Sequence, residues 1–229
     1  MKLFTRLKSV LSPRPPAPDL EEVWRIREED VYPRLFGPQT PGIYPLDAVL
    51  FTELGREGVD PRWLHHGVIE FPPTDARSCW LYVTSGRSNP WQTEPRDYDP
   101  NGPSGAGVEF LFATETQGQW AIRFLQKMLA YNLLLGAGHF PGREGLVPGD
   151  RIPLRGPIDG KADCPIRNAV VSQPDTLPDT FQLPSGHVHL LTFTGITDAD
   201  LALGQTDGHD ALIAHLMAED RYPVTRIVP

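Results

Sequence analysis

Cysteine is nearly missing from this 229-residue chain: Cys79 and Cys164 are the only two. Two isolated thiols cannot build a metal cluster alone, and they read as buried or incidental, with one disulfide the most they could form. Basic residues are also in deficit, with 21 Lys and Arg against 29 Asp and Glu and a formal charge of −8. Non-specific nucleic-acid binding needs clustered cations, so that class is set aside. An acidic surface suits solubility or a basic protein partner. No apolar run approaches the ~20 residues that span a bilayer. The start, MKLFTRLKSVLSPRPPAPD, intersperses Lys2, Arg6 and Lys8 among its apolar residues and lacks the uninterrupted apolar stretch of a signal peptide. The expectation is a cytoplasmic protein with no membrane contact.

Catalytic signatures are equally sparse. Neither Gly-Lys-Ser/Thr nor G-x-S-x-G occurs, and neither cysteine sits in a nucleophile motif. The stretch NGPSGAGVEFLFAT (Asn101–Thr114) is rich in glycine, but Phe110 stands where a dinucleotide fingerprint needs its last glycine. Phosphate loops run strand, glycines, helix, because the helix N-terminus holds the anion. Here Val108, Phe110 and Phe112 alternate as in a strand, so the glycines read as a strand-entry turn. His65 and His66 would face opposite sides of a strand. His187 and His189 share a face and are the better zinc pair, but spacing identifies no third ligand. Half-buried strand polarity is the plainer reading, so no metal and no cofactor are expected. Glu70, Glu109 and Asp150 are isolated acids, and Glu109 reads as an ion-pair partner of Arg123 or as an acid–base group.

What is present is enough apolar residue for a real core: 40% of the chain, with five Trp and ten Phe. Residues 1–18, ending in SPRPPAP, read as a flexible basic, proline-rich segment. Residues 19–229 read as one domain. Asp19 caps a helix whose stripe is Leu20, Val23, Trp24, Val31 and Leu35, with Arg27 as a polar interruption, Pro33 kinking or ending the helix near Tyr32, and Gly37-Pro38 closing the segment. Residues 40–58 read as loop, with a short apolar patch at Ala48–Phe51. Strands are predicted at Leu64–Phe71, Trp80–Thr84, Val108–Thr114, Asn168–Ser172, Phe181–Leu183 and His187–Thr194, and PVTRIVP reads as an edge strand. Gln119–Leu135 is apolar around most of its circumference and reads as a long, buried central helix. Shorter helices are predicted at Thr197–Leu203 and Asp210–Ala218. Without a βαβ rhythm, the expected class is α+β, a mixed or mostly antiparallel sheet packed against helices.

Between Trp80–Thr84 and Val108–Thr114 lies SGRSNPWQTEPRDYDPNGPSG, a long turn-rich loop carrying Trp91 and Tyr98. Loops of that length in a compact domain are commonly functional.

Several motifs in order resemble the suppressor of fused family. They are Trp80–Gly86, Ser88-Asn89, Gly102-Pro103-Ser104-Gly105 into Val108-Glu109-Phe110, Trp120-Ala121-Ile122, Pro148–Ile152, QLPSGHVHLLTFTGITDADL and Val224–Ile227. The resemblance runs from about residue 20 to the end. It implies a protein-binding module without catalytic activity, a stand-alone bacterial-type version of a domain that carries a further C-terminal half in animals. Animal relatives hold a transcription-factor peptide in a groove. Bacterial versions are proposed as immunity proteins that neutralise toxins. Carried over, the resemblance implies a partner site at Trp91, Tyr98, Asn101, Ser104 and Glu109. Trp91 keeps the family's aromatic character, whereas Asn101 lacks the charge of the family's acid at that place. The expected function is stoichiometric binding of a protein partner, a toxin domain or a peptide in a groove. The alternatives are a metal-assisted hydrolase using His187 and His189, or a scaffold with an endogenous partner.

Overall fold

The computed structural model describes residues 18–91, 98–143 and 145–227. Residues 1–17 and 92–97 lie outside them, so the reading of the N-terminal segment and of the middle of the long loop is not addressed.

One mixed sheet organises the domain. Its strands are β1 (Tyr44–Pro45), β2 (Gly67–Phe71), β3 (Trp80–Ser85), β4 (Pro103–Thr114), β5 (Arg151–Pro153), β6 (Asn168–Ser172), β7 (Thr180–Leu183), β8 (Gly186–Ile196) and β9 (Val224–Thr225). The order is β1-β2-β3-β4-β8-β6-β5, with β7 paired to β8 and β9 to β4. The β4–β8 and β4–β9 pairs are parallel and the others antiparallel. The expected α+β class and mixed sheet are therefore observed.

Both faces of the sheet are covered, which is why β2 and β6 are buried at every position. Alternate residues divide between two apolar layers. Val68, Tyr82, Phe110, Phe112 and Phe193 pack under the helix α4 (Gln119–Gly136). Ile69, Leu81, Val83, Leu111 and Leu190 face the N-terminal helix through Val23, Val31, Tyr32 and Phe36. A smaller cluster seats α5 (Asp198–Asp207) and α6 (His209–Ala218) beside Val170 and Ile196. The long central helix is thus where the sequence placed it, with twelve of its eighteen residues buried.

Differences from the sequence reading have local causes. The N-terminal helix does not stop at Tyr32 but runs as α1 (Leu20–Arg25), a π-helical stretch Ile26–Val31 and α2 (Tyr32–Phe36). The wide turn before Pro33 rearranges the backbone bonds that a proline would otherwise break. Asp19 holds the cap position, but its backbone carbonyl rather than its side chain accepts the first bond, from Val23 N–H at 3.0 Å. Residues Leu64–His66 are not strand, because Asp60 and Pro61 start the 3-10 turn Pro61–His65. Ala48–Phe51 belongs to α3 (Ala48–Glu53), capped by the Asp47 side chain. A capping box between Thr197 and Asp200 starts α5, which passes Leu203 to Asp207. The last strand is no outer edge: β9 pairs with β4 at Ala113–Thr114, and Thr225 Oγ1 accepts from Gly195 N–H of β8 at 2.8 Å.

Leu125 of α4 is fully buried. Leu125→Ala should cost about 2–5 kcal/mol in urea unfolding, and a loss under about 0.5 kcal/mol, typical of surface sites, would show that α4 is not core.

Candidate functional site

A closed polar centre sits where the turn after β3 meets the start of β4. Glu109 is wholly buried on β4. Its carboxylate accepts from Thr84 Oγ1 at 2.5 Å, Ser88 Oγ at 2.6 Å, and the backbone N–H groups of Ser88 and Gly86 at 2.9 and 3.0 Å. Facing it is Arg27, which is 1% exposed, with Nη1 3.9 Å from a Glu109 oxygen. The same Nη1 donates to Ser88 Oγ at 2.9 Å and Asn89 Oδ1 at 2.7 Å, while Nη2 donates to Ser85 Oγ at 2.6 Å and Glu28 Oε1 at 2.9 Å. Trp24 Nε1–H adds a bond to Asn89 Oδ1 at 2.8 Å. The N-terminal helix is thus pinned to the β3–β4 loop, and the loop to β4. The apolar stripe around Arg27 buries this arginine, and the carboxylate compensates it.

The second wall is the glycine-rich turn. Ser104 is buried, and its Oγ donates to the Ser88 carbonyl at 2.6 Å and meets Ser185 Oγ. Ala106 N–H donates to the Arg87 carbonyl at 2.8 Å. Gly105 has φ +58°, and a Cβ there would come within 2.3 Å of the Asn89 carbonyl oxygen. Its close approach is therefore to the chain's own loop. Between Pro103 and Val108 the β4–β8 register shifts, so β4 bulges at this point. The glycine stretch is part of β4 itself rather than a turn ahead of it.

The residues assigned to a partner site differ in what they can reach. Trp91 is half-buried, with its ring 6.0 Å from Trp24 and 5.8 Å from His65. Asn101 is exposed, and its carbonyl lies 3.2 Å from His187 Nδ1, which therefore carries the proton. Tyr98 is buried and its hydroxyl donates to the Pro184 carbonyl, so it anchors the loop rather than offering an exposed ring. Ser104 and Glu109 are sealed and shape the surface from beneath. Glu109 does not pair with Arg123, which bonds Asp47 and Glu53. His187 and His189 have ring centroids 5.3 Å apart, and among the described residues no group of three His, Cys, Asp or Glu side chains could hold a metal. Both cysteines are buried and free.

Two cavities adjoin this surface. One of about 160 Å³ is walled by His66, Arg87, Asn89, Trp91, Gly105 and Ala106, among others. Another, of about 360 Å³, shares Arg87 and Ala106 and extends along Val108 and His189. His66 packs against Gly86, and its Nδ1 bonds the Arg62 carbonyl at 3.2 Å. Burial first, and then the Arg87 cation, pushes its pKa down to about 4. Arg27 and Asn89 entered the sequence reading only as a polar interruption and as part of a motif, and Arg87 not at all. The signal available for Arg27 was its place inside an otherwise apolar helical stripe.

Fold and site together define an α+β domain whose polar centre braces two neighbouring loops. A family model described as Suppressor of fused protein (SUFU) matches residues 62–227, and the chain belongs to that family. Among curated proteins nothing matches. Solved structures share the fold. The Sufu–Fu complex superposes with a TM-score of 0.60 at 22% identity, covering 93% of this chain and 91% of that one. Drosophila Suppressor of Fused gives 0.54 at 20% identity over 71% of this chain, which spans 41% of that one. A SUFU homolog from Neisseria gonorrhoeae FA 1090 gives 0.57 at 12% identity over 88% and 90%. No helix among the described residues is long and apolar enough to cross a membrane.

Two measurements probe the centre. Arg27→Met leaves Glu109 buried without its cation and should cost about 3–5 kcal/mol. Adding Glu109→Gln should restore part of that loss, and strictly additive losses would show that the two do not interact. The unfolded His66 imidazole takes up a proton near pH 6.5 and the folded one only near 4. Between these values the unfolded state binds the extra proton, so stability should fall by about 3 kcal/mol as pH drops through the window. His66→Gln should flatten that part of the stability–pH curve, and an unchanged slope would contradict the assignment.

Proposed function

We propose that this chain is a non-catalytic module that binds a protein partner across the surface formed by Gly86–Trp91 and Asn101–Val108. Its proposed use is neutralisation of a toxin by stoichiometric association in the cytoplasm. The observation that carries the reading is the brace itself. Two loops are tied to each other and to the N-terminal helix by bonds that leave Trp91 half-exposed at the mouth of a cavity and Asn101 exposed. A preorganised surface loses little conformational freedom on binding, and an aromatic set in it is the usual form of a binding hot spot. Family membership supports a binding role, and a structural neighbour was solved as the Sufu–Fu complex. The toxin assignment rests on the family resemblance and on a net charge of −8, which suits a basic partner. Trp91 and Asn101 act as contacts, while Tyr98, Ser104 and Glu109 hold the surface in place. The hydrolase alternative gains no support from the His187–His189 pair.

The partner recovered by pull-down and mass spectrometry from native cells supplies the test. Trp91→Ala should weaken its binding about thirty-fold or more, from a hot-spot loss of about 2 kcal/mol. Because Trp91 also packs on Trp24 and His65, affinity is measured at a temperature where circular dichroism shows both proteins folded. Undiminished affinity there would refute the surface assignment. Protection of cells expressing a toxin encoded beside the gene would support the immunity use.

A further inference from the structure

Three buried N–H donors at one cavity have no acceptor among the described residues: Arg87 Nε, Asn89 Nδ2 and Trp91 Nε1. All three side chains line the cavity of about 160 Å³ beneath the loop, and they come from alternate positions of a single turn. A buried donor without a partner costs about 1–3 kcal/mol, so three in one place call for a common explanation. The side-chain acceptors of Glu109 and Asn89 are already committed. The Glu109 oxygens take four bonds from Thr84, Gly86 and Ser88. Asn89 Oδ1 accepts from Arg27 and Trp24, which fixes the amide so that its NH2 is the unused end. His66 Nδ1 donates to the Arg62 carbonyl, which leaves Nε2 as the ring's acceptor.

From this geometry we propose that the cavity receives a carboxylate of the bound partner, with Arg87, Asn89 and Trp91 as its donors; the proposal rests on the partner-binding reading above. A carboxylate only accepts, offers about four lone-pair positions, and brings the charge that a desolvated guanidinium lacks. The direction of the Arg87 pKa agrees: burial lowers it more than the attraction of Glu109 raises it. Lys and Arg side chains only donate and would leave all three N–H groups unmet beside a second cation. The carboxylate comes from an Asp or Glu side chain or from a chain end. In either case one acid seated against a buried arginine would set the register of an extended partner segment along the loop.

The test uses the indole N–H resonance of Trp91 in the full chain, assigned through Trp91→Phe. Three probes are titrated at constant ionic strength: N-acetyl-aspartate N-methylamide for a side-chain carboxylate, N-acetylglycine for a chain end, and neutral N-acetylglycinamide. The expected result is a saturable shift with a carboxylate probe and none with the neutral one, the tighter carboxylate identifying the source. Arg87→Leu should weaken that binding by about tenfold or more, with an unchanged far-ultraviolet circular dichroism spectrum. No saturable shift, an equal shift with the neutral amide, or indifference to Arg87→Leu would each overturn the proposal. If the probes fail while Trp91→Ala still reduces partner affinity, only the carboxylate site falls. If they bind while partner affinity ignores Trp91→Ala, the partner surface falls instead.

Discussion

Everything around the candidate site depends on how one carboxylate is buried. Glu109 has no access to water, and an unpaired charge in that position would destabilise its surroundings. Four hydrogen bonds and the Arg27 guanidinium prevent that, and each recruits a different part of the chain. Thr84 belongs to β3, Gly86 and Ser88 to the turn after it, and Arg27 to the N-terminal helix. Satisfying one charge therefore fixes the relative positions of three segments distant in sequence. The π-helical stretch Ile26–Val31 contains Arg27, so the irregular turn of the helix coincides with its attachment to the sheet.

The loop surface follows from this anchoring. The Ser88 carbonyl accepts from Ser104, the Arg87 carbonyl accepts from Ala106, and Gly105 leaves room for the Asn89 carbonyl. Backbone groups of the first loop are thus consumed by the second, which leaves Trp91 and Asn101 at the surface and the buried donors of Arg87, Asn89 and Trp91 at the small cavity. This division between a satisfied backbone and under-satisfied side-chain donors distinguishes the surface from an ordinary loop pair. On the proposed reading, substitutions at Glu109 or Ser104 act through shape, whereas changes at Trp91 or Arg87 act through contact.

Much of the fold was legible in the sequence, and the failures share a cause. The continuous apolar surface of Gln119–Leu135 required a buried helix, and the alternation of Val108, Phe110 and Phe112 located β4. Local signals failed where tertiary bonding overrode them. Leu64–His66 were drawn into a 3-10 turn by Asp60 and Pro61, while Pro33, read as kinking or ending its helix, follows a π-helical stretch without ending it. The site was legible in part through the Ser88-Asn89 and Gly-Pro-Ser-Gly motifs. Spacing could not say which of its residues face outward, so Tyr98 was carried over as a partner-site residue when its hydroxyl is tied to Pro184. Arg27 was passed over because a lone arginine in an apolar stripe usually reaches solvent, and only the fold shows that it instead meets Glu109.

The central claim is that the braced pair of loops is the face that meets a partner. Amide hydrogen exchange on the full chain, with and without the partner recovered from native cells, addresses it most directly. The account predicts new protection in Gly86–Trp91 and Asn101–Val108, with α5 and α6 unchanged. Protection confined to α5 and α6, or to the cleft lined by Tyr131 and Ile152, with both loops unaffected, would contradict it.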